Sequence, residues 1–122
     1  MSSSLKKILR SFQYAFNGMR EVVRSELNFR IHLAAAVLIV LVCALLGVSK
    51  MEWLLIIACI SIVMAMELIN TAIEKLCDFV APEKRPAIKI IKDLSAAAVL
   101  VAAIGALVVG LIIVLPKIIA LL

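Results

Sequence analysis

Three stretches of this chain contain no Asp, Glu, Lys or Arg: residues 31–49, 53–66 and 94–116. The last of them is 23 residues long, and a helix of about 20 apolar residues crosses the hydrocarbon core of a bilayer. A water-soluble fold of 122 residues has no way to bury so much apolar side chain. Hydrophobic residues make up 66% of the chain, against about 45–50% in ordinary soluble domains. The chain therefore reads as one all-α membrane domain, residues 1–122, with transmembrane helices at 31–48, 53–80 and 94–115.

Charge placement orients these spans. Lys6, Lys7, Arg10, Arg20, Arg24 and Arg30 precede the first span, and Lys84, Arg85, Lys89 and Lys92 lie in the loop before the third. The turn at 49–52 holds only Lys50. Positive charge favours the cytoplasmic side, which predicts a cytoplasmic N-terminus and a C-terminus on the outer face. The net charge of +5 does not point to nucleic acid, because aromatics are only 5% and the basic residues sit where topology requires them. The N-terminus lacks the layout of a cleaved leader, so the first span is expected to persist. Cys43, Cys59 and Cys77 are far apart inside apolar segments and read as packing residues.

Residues 4–28 have helical periodicity. Leu5, Ile8, Leu9, Phe12, Phe16 and Met19 recur every three or four positions, with Lys6, Lys7, Arg10, Arg20 and Arg24 largely between them. An apolar stripe opposite a cationic face fits a helix lying in the membrane interface. In the third span Ala98, Ala102, Ala106 and Gly110 form a small-residue stripe. It allows close helix approach, either between subunits or as ordinary packing.

The polar end of the second span carries the chemistry. Glu67, Asn70, Thr71, Glu74 and Asp78 fall within about 100° of one another around a helix. Glu67 lies about 16 Å deeper than Asp78 at 1.5 Å per residue. A carboxylate inside a bilayer costs about 2.5–3.5 kcal/mol even on lenient scales, so its default reading is functional. Carboxylates near bulk water suit Mg²⁺, a hard cation that usually arrives with phosphate, and Glu26 is placed to complete such a site with Glu74. Lys92 and Asp93 open a helix whose N-terminus favours anions. No Walker-type or kinase glycine-rich loop is present. These features predict a carboxylate-lined site facing the cytoplasm and open to lipid. The alternative from the same residues is a small proton-coupled transporter using Glu67 as its carrier.

The run Glu67-Leu-Ile-Asn-Thr-Ala-Ile-Glu-Lys-Leu-Cys-Asp78 closely resembles the signature of the bacterial diacylglycerol kinase family, which includes undecaprenol kinases. Lys92-Asp-Leu-Ser-Ala-Ala-Ala-Val-Leu100 and Ser25-Glu-Leu-Asn-Phe-Arg-Ile-His32 resemble two further blocks of the family. The resemblance implies a homotrimeric enzyme of the bacterial inner membrane, with sites shared between subunits. It would transfer the ATP γ-phosphate to the hydroxyl of a membrane lipid alcohol. It implies Glu67 as general base and Glu26 and Glu74 as carboxylates for Mg²⁺ and ATP. It implies Asn70 as a residue orienting the phosphate or the base, and Lys92 and Asp93 as nucleotide contacts. Tyr14 and Glu83, Lys84 and Arg85 fall at ATP-contact positions, and Lys7 stands where some members have arginine. His32 replaces the second acid of the diacylglycerol-specific enterobacterial type, and Ser95-Ala96 replaces its Gly-Ser; both favour undecaprenol over diacylglycerol. By itself, a lone His at the head of a span reads as an interfacial hydrogen-bonding residue.

Overall fold

A computed structural model describes residues 1–122 as four helices: α1 (Ser3–Ser25), α2 (Leu27–Leu46), α3 (Lys50–Val80) and α4 (Pro86–Leu121). The last three are long and apolar enough to cross a membrane.

Helix α1 starts where the Ser2 hydroxyl accepts the Leu5 backbone N–H at 3.2 Å. It stops at Ser25 because Glu26 is extended, with φ −112° and ψ 111°. Arg30 Nη1 donates to the Arg24 carbonyl at 3.4 Å, satisfying one of the acceptors that a helix end leaves free. The helical periodicity of 4–28 thus spans an elbow, and Leu27 and Asn28 belong to the next helix. Val22 and Phe29, on either side of this elbow, are almost fully buried.

At the far end of α2, Gly47 takes the left-handed conformation at φ 66°, which favours glycine. Ser49 and Glu52 then form a reciprocal capping box: the Ser49 hydroxyl accepts the Glu52 N–H, and the Glu52 carboxylate accepts the Ser49 N–H at 2.9 Å. Two orphan donors are satisfied, so the chain re-enters helix after a very short turn. Helix α4 opens with Pro86, whose missing N–H costs nothing at that position, so Lys92 and Asp93, expected to open the helix, lie in its second turn instead. It continues through Pro116 to Leu121, past the expected end near 115.

Helices α3 and α4 form the most extensive contact. They are antiparallel and ion-paired at both ends: Lys117 Nζ lies 3.2 Å from Glu52 Oε1, and Lys92 Nζ lies 2.5 Å from Asp78 Oδ1. Cys43, Val48, Ile56 and Ile113 make a small core near the 47–52 turn. All three cysteines are free, and Cys43 and Cys77 are buried. Only 14 of 122 residues are buried, so most of the apolar side chains of α2, α3 and α4 face outward, as lipid-facing helices do.

Candidate active site

The second half of α3 is graded in burial. Glu67, Asn70 and Thr71 are buried, Glu74 is half-buried, and Asp78 is exposed. The 3.6-residue repeat puts all five on one side, and the packing of α2 and α4 against α3 covers the deeper ones. Glu67 retains only 3% of its surface. A charge so buried costs several kcal/mol unless it is paired.

Its partner is His32. The imidazole Nε2 lies 3.1 Å from Glu67 Oε1. His32 is three residues after the buried Phe29, on the same face of α2, so the rotation that buries the phenyl ring also turns the imidazole towards α3. His32, expected as an interfacial hydrogen-bonding residue, is turned inward against the buried Glu67. The pairing joins helices 35 positions apart in sequence, a contact that periodicity within either helix does not reveal. One signal was available. In an antiparallel arrangement, the head of the first span and the polar end of the second lie at the same depth.

Glu74 lies two turns beyond Glu67 on the same face of α3, and Glu26 lies at the elbow where α1 meets α2. Asn70 Nδ2 donates to Glu74 Oε1 at 3.4 Å, which orients that carboxylate. Asn70 Oδ1 and Ser95 Oγ are buried without a hydrogen-bond partner. Glu67, Asn70 and Glu74 thus share one face of α3, while Glu26 stands at the elbow between α1 and α2.

The remaining predicted residues lie apart from this group. Tyr14 and Lys7 are exposed on α1. Glu83 and Arg85 pair with each other in the loop between α3 and α4, where Lys84 is also exposed. Lys92 is engaged by Asp78, and Asp93 accepts from Lys89 at 2.5 Å.

Beneath the acids lies an apolar cavity of about 360 Å³ between α2, α3 and α4. His32, Ala36, Met64, Ala106 and Gly110 are among its walls, and 13 of its 15 lining residues are hydrophobic. Ala106 and Gly110 of the small-residue stripe therefore face inward within the chain. Small side chains there leave open the space that larger ones would fill.

The family described as prokaryotic diacylglycerol kinase matches residues 13–114. An undecaprenol kinase from Bacillus subtilis is 37% identical over 115 residues, covering 94% of each chain. A diacylglycerol kinase from Synechocystis is 36% identical over 93% of this chain and 66% of its own. The diacylglycerol kinase of Escherichia coli K12 is 30% identical over 88% of each.

Proposed function

The chain belongs to the prokaryotic diacylglycerol kinase family, and on that premise we propose that it phosphorylates a lipid alcohol at the membrane surface, with Glu67 as general base. The observation that carries this reading is a buried carboxylate on a membrane-crossing helix, held by one imidazole and set above an apolar cavity. The transporter reading finds no support in the family match.

Phosphoryl transfer depends mainly on positioning and on charge neutralisation. In the reaction, the lipid O–H proton passes to the free oxygen of Glu67. The lipid oxygen bonds to the γ-phosphorus as the bond to the bridging oxygen breaks, releasing ADP. Glu26 and Glu74 would supply hard carboxylate oxygens for Mg²⁺. No three such side chains cluster within the chain, but Mg²⁺ commonly takes one or two carboxylates and completes its shell with phosphate and water. Glu26 and Glu74 would hold such an ion, which would supply charge neutralisation for the phosphates. Asn70 holds Glu74 in place. Lys92, Asp93, Tyr14, Lys7 and the 83–85 loop provide the polar surroundings of the nucleotide.

The protein works as a homotrimer in the bacterial inner membrane, with N-terminus and site on the cytoplasmic side. Loop charges support that orientation. Leu5, Ile8, Phe12 and Phe16 of α1 are all exposed, as expected of a helix whose apolar face sits in the interface. Undecaprenol is the favoured acceptor, on the His32 and Ser95-Ala96 substitutions and the similarity to an undecaprenol kinase. The test is incubation of the purified protein in vesicles with γ-labelled ATP and either lipid. Label should enter undecaprenol faster than diacylglycerol. The reverse order would overturn the substrate assignment, and label in neither lipid would overturn the kinase reading.

A further inference from the structure

We infer that His32 is a positioning residue for phosphoryl transfer, acting through Glu67 and fixing which carboxylate oxygen meets the lipid hydroxyl. The inference rests on the proposal that Glu67 is the base.

A carboxylate has two oxygens and about four acceptor positions. His32 Nε2 occupies Oε1 at 3.1 Å. No other side chain in the chain hydrogen-bonds or ion-pairs with Glu67. With the imidazole against Oε1, Oε2 is the oxygen left to take a proton. Without the tie, rotation about the last side-chain bond would exchange the two oxygens and misalign the base.

The placement of His32 argues against an incidental contact. Its ring is the only basic group on the walls of the apolar cavity, where the Cys59 thiol is the one other titratable side chain. Its side chain is about one-quarter exposed, whereas that of Glu67 is 4% exposed. Ionisable groups within membrane helices are costly and are retained where they work. Ala35 and Ala36, one turn further along α2, line the cavity beside it. The imidazole thus stands between the apolar space and the base, where an alcohol with an apolar chain must present its hydroxyl. The charged groups that face the pair are Glu26 and Glu74, and α4 contributes none to the cavity wall.

Three substitutions separate positioning from structural support. His32→Leu keeps an apolar wall and removes the donor. His32→Gln keeps an N–H at similar reach, and His32→Asn carries its amide too short. Expected for His32→Leu is a fall in kcat of roughly 10- to 100-fold, the range of one hydrogen bond to a charged group, with the KM for ATP unchanged. His32→Gln should recover most of the loss, and His32→Asn should not. In a Glu67→Gln background, His32→Leu should cause no further loss, because its effect passes through the carboxylate. If His32→Leu fails to accumulate in the membrane, the Gln and Asn variants carry the comparison. Equal activity of those two, an undiminished kcat in His32→Leu, or the same loss with and without Glu67 would overturn the inference. A fully active Glu67→Gln enzyme would instead remove the base assignment, and this inference with it.

Discussion

Lys92 Nζ lies 2.5 Å from Asp78 Oδ1, clasping the end of α3 to the start of α4 just beyond the carboxylate ladder. Both partners are accessible to solvent, Asp78 more so than Lys92. Exposed pairs of this kind contribute about 0–1 kcal/mol. The clasp therefore fixes the position of Lys92 on α4 more than it stabilises the fold.

Two substitutions separate those roles. Asp78→Asn should lower the melting temperature by no more than a few degrees, in keeping with the small worth of exposed pairs. If Lys92 contacts the nucleotide as proposed, Lys92→Met should raise the KM for ATP at least about tenfold, the worth of one hydrogen bond to a charged phosphate. Matching KM values for the two variants would show that Lys92 serves only as the clasp.

Glu26 and Glu74 should behave as one unit towards metal and nucleotide. Either change to Gln should raise the Mg²⁺ concentration needed for half-maximal activity. The double variant should lose much less than the product of the single losses, since contacts within one site are non-additive. A Mg²⁺ titration of the four proteins checks this, and simple additivity would argue for two independent sites.

The membrane architecture was legible because lipid imposes a coarse requirement. Gaps of 14 or more residues without formal charge mark the three spans, and the Glu67–Asp78 ladder is visible as helical spacing. The elbow at Glu26 was harder to see. Residues 4–28 carry one helical period throughout, and the break depends on a local extended residue with Arg30 reaching back to the Arg24 carbonyl. His32 was noticed as a substitution, but its bond to Glu67 joins two helices and so lay outside any single-helix pattern. The inward face of Ala106 and Gly110 likewise depends on helix rotation, which small-residue spacing leaves open.

Subunit mixing tests where each site is assembled. The family resemblance implies sites shared between neighbours, whereas α1 also packs against α2 and α3 of its own chain. If these two acids work from the same subunit, combining inactive Glu67→Gln chains with inactive Glu26→Gln chains should restore no activity beyond that of wild-type-free controls. Differently tagged chains must first be shown to co-purify. Substantial recovery in such mixed trimers would place Glu26 and Glu67 of each working site in different subunits.

The most direct measurement is the turnover of Glu67→Gln in lipid vesicles, followed by transfer of label from γ-labelled ATP to undecaprenol. The substitution keeps the shape of the side chain and removes its basicity. General base catalysis contributes about 10²–10⁴-fold, so turnover should fall by that factor while the protein keeps its helical content and oligomeric state. Near-normal turnover by the folded variant would contradict the assignment of Glu67 as the base.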